Sequence, residues 1–361
     1  MQKIKFRFNA THVDSFNASG KLNLVFLDLT NQCNLRCRYC FNLHNLSQPP
    51  THLDLALLGR ALDSRVAAGA RNWFLSGGEP LCYPFLDEAL RLLQERGHRP
   101  KIATNGILLT PPVVDAWVAR GVQSVQFSFD TLQPSAMGSI NAGSPKNHRD
   151  ILENLAYAVA SPLRVVASSV LTRASAPEIP AIMRACHDLG LDSYTLYPAV
   201  PARRAGDDLV LPPAEQLALF DSLFGFYRDL CPARLIDLSL PCFARSSAYA
   251  AWKDDLTIRL HPCGAGQFNL KIASDGRVST CICQDAPEFI VGDLRTATLD
   301  EIWSSDAIEE FRALSRRIPE CGGCPQREKC RGGCRNEAFV FGARGILSPD
   351  PHCEYFTALR R

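Results

Sequence analysis

The chain has 361 residues, of which 46% are hydrophobic and 21% charged, and its formal net charge is +2. This is the composition of a globular chain long enough for two domains, and so even a charge balance gives nucleic acid no reason to bind. No apolar run reaches the length of a membrane span.

The first residues, Met1 to Phe8, alternate charged and apolar side chains and lack a signal-peptide core, so residues 1–21 read as a short strand or hairpin. From residue 22 to about 200, short apolar runs alternate with amphipathic helical patterns. Strands are predicted at Leu24–Leu29, Asn72–Leu75, Lys101–Ala103, Val122–Phe129, Arg164–Leu171 and Tyr194–Tyr197. Helices are predicted between them at Leu53–Ala68, Pro84–Arg96, Pro111–Ala119, Asn147–Ala160 and Ala176–Leu189, two of them opening on proline. Strands alternating with helices imply an α/β fold with parallel strands and right-handed crossovers. Six such units are too few for a closed eight-fold barrel, so residues 22–200 read as a partial (βα)6 TIM-like barrel, open on one side to a large substrate. Residues 201–260 change character. Pro198, Pro201, Pro212 and Pro213 bracket a linker, Arg203-Arg204 reads as solvated surface, and Leu217–Leu230 is an amphipathic bridging helix whose Phe/Leu stripe belongs to the core. The last third, 261–361, is rich in cysteine.

Fifteen cysteines without an export signal point to metal ligation in a reducing cytoplasm. Cys33, Cys37 and Cys40 fall in the loop leaving the first barrel strand, at the end where such folds keep their chemistry. Structural zinc sites favour paired C-x2-C units, which this spacing does not supply. A disulfide would leave an odd thiol, and three cysteines flanked by Asn31, Gln32, Asn34, Arg36 and Arg38 make a poor core. Three thiolates within eight residues suit one corner of an iron–sulfur cube. Four irons and three local ligands leave one iron open to a substrate.

Cys33-x3-Cys37-x2-Cys40, with Tyr39 before the third cysteine, resembles the signature of the radical S-adenosylmethionine (radical SAM) enzymes. The resemblance implies a 4Fe-4S cluster whose open iron chelates SAM, and reductive cleavage of SAM to methionine and a 5′-deoxyadenosyl radical. It places Tyr39 beside the adenine. Ser76-Gly77-Gly78-Glu79-Pro80 follows the second strand, and by resemblance Gly77, Gly78 and Glu79 bind the methionine amino group. The glycines permit close backbone approach, although a Gly-Gly pair is also a plain turn. Asn105, in Thr104-Asn105-Gly106, and Ser128, in Ser128-Phe129-Asp130, are carried over as contacts to the SAM ribose and carboxylate. Asn105 also fits a turn, and Asp130 a helix cap. Cys82 and Cys186 have no evident partner and read as buried and inert, while Cys231 and Cys242 are unassigned.

The C-terminal cysteines run Cys263-x17-Cys281, then Cys321-x2-Cys324-x5-Cys330-x3-Cys334, then Cys353, with Gly322-Gly323 and Gly332-Gly333 turns. Cys321-x2-Cys324 would also suit a zinc ribbon. The whole pattern resembles the SPASM extension of radical SAM enzymes, a small α+β domain with two auxiliary iron–sulfur clusters. Val291-Gly-Asp-Leu294, Leu299-Asp-Glu-Ile-Trp303 and Asp350-Pro-His-Cys353 agree with it. The resemblance implies one cluster on Cys321, Cys324, Cys330 and Cys353 and another on Cys263, Cys281 and Cys334. Anaerobic sulfatase maturases place a further ligand where this chain has Asn269 and an acid where it has Ile282, so sulfatase maturation is disfavoured. The second set therefore either leaves an iron open or recruits Cys283, two residues past Cys281.

The implied activity is oxidoreductase chemistry: hydrogen-atom abstraction followed by net oxidation, crosslinking or dehydrogenating a ribosomally made peptide. Barely twenty residues precede the first barrel strand, so a peptide would need a separate carrier protein or direct docking. The alternatives are a small molecule, either a sugar or nucleoside antibiotic precursor or a tetrapyrrole side chain, and, less favoured, a non-enzymatic electron-transfer protein. An external flavodoxin- or ferredoxin-type donor is implied. No catalytic acid, base or radical-relay side chain stands out from the sequence; Tyr197, at the last strand's end, is no more than a position to consider.

Overall fold

The computed structural model describes residues 6–10, 21–42, 47–199, 209–231, 235–238, 252, 254–260 and 263–353. Pro201, Arg203-Arg204 and Cys242 lie outside them. The strands in chain order are β1 (Arg7–Ala10), β2 (Leu24–Asp28), β3 (Asn72–Ser76), β4 (Lys101–Thr104), β5 (Ser124–Ser128) and β6 (Arg164–Leu171). They continue with β7 (Ser193–Pro198), β8 (Leu235–Leu238), β9 (Thr257–Leu260), β10 (Asn269–Ile272), β11 (Arg277–Ser279) and β12 (Ile290–Asp293). The described residues form two compact units. One comprises residues 17–167 and 264–311; the other comprises 1–16, 168–263 and 312–361.

In the first unit the strand order is β12-β11-β10-β2-β3-β4-β5. β2 to β5 are parallel neighbours, with Leu24 opposite Asn72, Asp28 opposite Ser76 and Thr104 opposite Phe127. Parallel register brings the C-terminal strand ends to one rim, where Asp28, Ser76, Thr104 and Ser128 sit. All five residues of β2 are buried, and the first four, residues 24–27, read as an unbroken apolar run. β10 pairs parallel to β2, Asn269 opposite Leu24 through Ile272 opposite Leu27, and β11 and β12 follow antiparallel. The edge of β2 is thereby covered by residues from far along the chain, which removes an exposed row of backbone donors.

The helices have identifiable causes. Asp54 caps Leu55–Leu62 by accepting the Ala56 and Leu57 N–H groups, and Ser64 caps a second short helix, Arg65–Ala68. The single helix predicted over Leu53–Ala68 is therefore two, broken where Ser64 offers a new N-cap. Pro145–Ala160 starts with proline behind a reciprocal Ser144–Asn147 capping box. Pro111–Ala119 also starts on proline, whereas the helix predicted from Pro84 begins at Leu86.

β6 carries the chain from the first unit into the second, which holds β7-β1-β8-β9, all parallel. Its core is aromatic. Phe8, Tyr194, Phe220, Phe224 and Tyr227 are fully buried, and the Tyr227 hydroxyl donates to the Phe6 carbonyl at 3.0 Å. The bridging helix, Pro213–Leu230, supplies three of these rings, as its stripe implied. The sequence of strand, loop and helix from β2 to β7 is that of a partial (βα)6 barrel. No described helix is long and apolar enough to cross a membrane.

Candidate functional site

The loop that leaves β2 is held at both ends. Asn31 donates through Nδ2 to the Pro49 carbonyl (2.8 Å) and accepts the Thr51 N–H at Oδ1 (2.8 Å). Further along, the Arg36 and Arg38 N–H groups donate to the carbonyls of Asn141 and Ile140. Arg36 closes the turn from inside, its Nη1 donating to the Cys33 and Leu35 carbonyls at 2.7 and 2.8 Å. Cys33, Cys37 and Cys40 are half-buried; Cys33 raises the pKa of both other thiols, and Cys40 raises that of Cys37. Burial is the main cause in all three cases; it pushes Cys40 up to about 11 and Cys37 higher still. Arg36 and the Leu35 and Asn42 N–H groups offset this in part, and a bound cation would stabilise thiolates here directly.

Gly77-Gly78-Glu79 is pressed against this loop. Gly78 N–H donates to the Thr30 carbonyl and Glu79 N–H to the Gln32 carbonyl, both at 2.7 Å. Gly77 has φ +118°, and a Cβ there would sit 2.5 Å from the Thr30 oxygen; one on Gly78 would sit 2.0 Å from the Gln32 oxygen. The close approach these glycines permit is to the backbone of the cysteine loop. Glu79 is buried at the centre. Oε1 accepts from Thr104 Oγ1 (2.7 Å) and Leu81 N–H (3.2 Å), and Oε2 from Asn105 N–H (2.8 Å). Burial raises its pKa and these three bonds oppose the shift. A carboxylate has about four acceptor sites, so one direction on Glu79 is left for a further donor.

Asn105 is brought to the same place, its Nδ2 lying 2.7 Å from Asn34 Oδ1 and 4.0 Å from Cys33 Sγ. Tyr39 donates its hydroxyl to the buried carboxylate of Asp130. Asp130, read from sequence as a helix cap, is thus the anchor of Tyr39. Ser128 is exposed at the end of β5 on the same rim. Cys82, expected to be buried and partnerless, is half-buried in the turn after Glu79; it accepts the Asn34 N–H and its thiol acts on that of Cys33. Cys186 is fully buried, and burial pushes it up to about 12.

Two further groups were not found from sequence. Lys271, 1% exposed on β10, lies between two carboxylates, with Nζ 2.5 Å from Asp285 Oδ1 and 3.8 Å from Asp28 Oδ2. Asn42 joins the network, its Nδ2 reaching Asp28 Oδ2 (3.4 Å) and the Gly77 carbonyl (3.1 Å). A lysine inside the apolar run Leu270-Lys271-Ile272 was the available signal. In the second unit, Glu337, Asp350 and His352 form a cluster: His352 Nδ1 lies 2.6 Å from Glu337 Oε2 and 3.5 Å from Asp350 Oδ1. Asp350 also accepts the Cys334 N–H at 2.6 Å.

That unit contains Cys321, Cys324, Cys330 and Cys353. The Cys321 thiol is pushed up to about 11, chiefly by burial, and the other three raise it further. Of the remaining cysteines, Cys263 and Cys334 belong to this unit, and Cys281 and Cys283 to the first. The Cys281 and Cys283 thiols hydrogen-bond each other, which holds Cys281 well above its ordinary range.

The sequence model of the radical SAM superfamily matches residues 27–186, and that of the SPASM iron–sulfur cluster-binding domain matches 263–325. The chain is a radical SAM enzyme. Its SPASM domain lies C-terminal to the radical SAM domain. It is 26% identical over 349 residues to the AdoMet-dependent heme synthase of Methanosarcina barkeri, a match covering 92% of this chain and 96% of that protein. It is 28% identical over 340 residues to the PqqA peptide cyclase of Xanthomonas oryzae pv. oryzae, covering 91% and 87%. The fold is shared with Streptococcus suis SuiB bound to S-adenosylmethionine, at TM-score 0.73 and 16% identity, covering 93% of this chain and 78% of that one. SuiB is also known bound to its precursor peptide SuiA.

A radical SAM enzyme uses a 4Fe-4S cluster and SAM, and the SPASM domain adds iron–sulfur centres. The residues present fit these groups. The donor sets are thiols whose burial opposes ionisation, and the loop around Cys33 is backed by rigid backbone bonds from Gly78 and Glu79.

Proposed function

We propose that this radical SAM enzyme oxidatively modifies a ribosomally made peptide, forming a crosslink or a double bond. Cys33, Cys37 and Cys40 hold the SAM-side cluster, and Gly77, Gly78, Glu79, Tyr39, Asn105 and Ser128 receive SAM. The observation that carries the reading is the clamp between the cysteine loop and Gly77-Gly78-Glu79, which leaves one acceptor direction on a buried carboxylate beside Cys33. That direction suits the ammonium of a methionine moiety. With cluster and SAM bound, the chemistry supplied is reductive cleavage of SAM to methionine and a 5′-deoxyadenosyl radical that takes a hydrogen atom from the substrate. The chain's own task is to fix the donor: Glu79 is set by Thr104 and Asn105, and Tyr39 by Asp130. Cys321, Cys324, Cys330 and Cys353 hold an auxiliary cluster able to take up the electron a substrate radical gives up. A flavodoxin- or ferredoxin-type protein supplies reducing electrons from outside, and a separate carrier protein presents the peptide. The work belongs to the cytoplasm, where thiols stay reduced.

The likeness to a peptide cyclase supports the peptide class. The likeness to a heme synthase, which runs over 96% of that protein, favours a second reading in which the substrate is a tetrapyrrole side chain. Reconstituted, dithionite-reduced enzyme with SAM should release 5′-deoxyadenosine, and a peptide encoded beside the gene should lose the mass of H2 per turnover. Loss of CO2 from a porphyrin propionate in place of any peptide change would establish the second reading. No 5′-deoxyadenosine above a Cys37→Ala control would overturn both.

A further inference from the structure

Arg335 opens the helix Arg335–Phe341, directly after Cys334, and is 4% exposed. One corner of its guanidinium is used: Nη1 donates to the carbonyls of Ile346 (3.0 Å) and Ser348 (2.9 Å). The other edge, Nε and Nη2, is buried and has no hydrogen-bond partner among the described residues. That edge is the side-on pair of parallel N–H groups that arginine offers to anions. No carboxylate among the described residues forms an ion pair with it. Glu337 and Asp350, the acids of the same region, are turned to His352.

The guanidinium lies over the turn that leaves Cys330. A Cβ on Gly332 would sit 3.3 Å from Arg335 Cζ and 3.4 Å from Nε. The Arg335 charge also lowers the pKa of the Cys321 thiol, against the burial that raises it. Buried donors left without an acceptor lose their hydration and gain nothing in return. A helix anchor would need only the two carbonyl bonds of Nη1. Sulfur carrying negative charge, as thiolate ligand or inorganic sulfide, is an acceptor that would satisfy the free edge.

We propose that Arg335 is the hydrogen-bonding cation of the centre on Cys321, Cys324, Cys330 and Cys353, and that it raises the reduction potential of that centre. The inference rests on the ligand assignment given under the proposed function. Hydrogen bonds to cluster sulfur and local net charge are the protein's main controls on such potentials. A cation at this place biases the centre toward holding an electron. Arg335 is a positioning residue here, since it touches neither substrate nor SAM.

The test uses the full-length, anaerobically reconstituted protein, with iron and sulfide counted before any titration. The difference spectrum between wild type and Cys324→Ala identifies the EPR signal of this centre. Potentiometric titration of that signal then compares wild type, Arg335→Gln and Arg335→Lys. Arg335→Gln should keep its iron and shift the one-electron equilibrium at least tenfold toward the oxidised form, about 59 mV. Arg335→Lys keeps the charge but loses the paired N–H edge, so it should shift less. The signal that responds to SAM should keep its wild-type potential in both. An unchanged potential in iron-replete Arg335→Gln overturns the proposal. Equal loss of iron from both variants also overturns it, assigning Arg335 to folding alone. A Cys324→Ala protein with its full complement of iron would instead remove the ligand assignment beneath it.

Discussion

Around Cys33, Cys37 and Cys40 the nearest ionisable neighbours are mostly acids: Glu79 acts on Cys33, Asp130 on Cys37 and Asp28 on Cys40, with Arg36 opposing in part. Around Cys321 the neighbour outside the cysteine set is the guanidinium of Arg335. The same ligand atom is thus placed in opposite fields. Negative surroundings disfavour an added electron and make a centre a stronger reductant, which cleavage of a sulfonium requires; a buried cation does the reverse. The acids belong to the rim itself. Asp28 ends β2, Glu79 follows β3 and Asp130 follows β5, so the strand ends that deliver the cysteines deliver the charge as well.

Removing a ligand should break the comparison most completely. Cys37→Ala is expected to drop 5′-deoxyadenosine formation to background while iron bound through the C-terminal cysteines is retained, as counted by iron analysis and Mössbauer spectroscopy. Retention of full SAM cleavage would show that the acidic site is not the reducing one. The next largest effect is expected from Gly78→Ala. The new Cβ would meet the Gln32 carbonyl at 2.0 Å, backbone against backbone, with no flexible atom to yield. The cysteine loop must then separate from Glu79. We expect SAM affinity to fall more than about tenfold, the equivalent of about 1.4 kcal/mol, with partial loss of iron, read by isothermal calorimetry on matched preparations.

Lys271→Met tests the charge behind the acidic site. Removing one partner of a buried ion group leaves Asp28 and Asp285 uncompensated, which typically costs about 3–5 kcal/mol. Denaturant unfolding should show a loss of that size. The triple variant Lys271→Met, Asp28→Asn, Asp285→Asn should recover much of it, because the stranded charges go too. If the single variant is as stable as wild type, the ammonium is not balancing those carboxylates.

How much of this was legible in sequence depends on how local the cause is. Buried strands announce themselves as apolar runs, so β2 through β7 were found to within a few residues. The cysteine loop and Gly77-Gly78-Glu79 are compact motifs whose spacing is their chemistry. The covering of β2 by β10 was not legible, because nothing in Asn269–Ile272 states which strand edge it will meet. Nor was the Asp28–Lys271–Asp285 group, whose members come together only once that pairing forms. Cys82 and Asp130 were misjudged for a simpler reason: each has an ordinary local explanation, a lone thiol in a turn and an acid after a strand. Their partners, Asn34 and Tyr39, lie in the cysteine loop itself. The orphaned edge of Arg335 leaves no trace in sequence at all, since it is defined by which of its N–H groups find carbonyls.

Tyr39→Phe should give the smallest effect and the sharpest one. The ring stays, so any contact it makes with adenine stays, and what is lost is the hydroxyl that donates to Asp130 and also hydrogen-bonds the Cys37 thiol. Asp130 is buried, so its carboxylate is left short of a donor at a cost of about 1–3 kcal/mol. That loss should appear as reduced stability together with a few-fold weaker SAM binding, because the ring is no longer fixed. Asp130→Asn should produce a loss of similar kind, and the double variant should lose less than the sum of the two, as groups sharing one bond do. Additive losses would mean that the two side chains act separately. The acid facing Cys37 would then contribute through its charge alone, with no part in holding the aromatic ring.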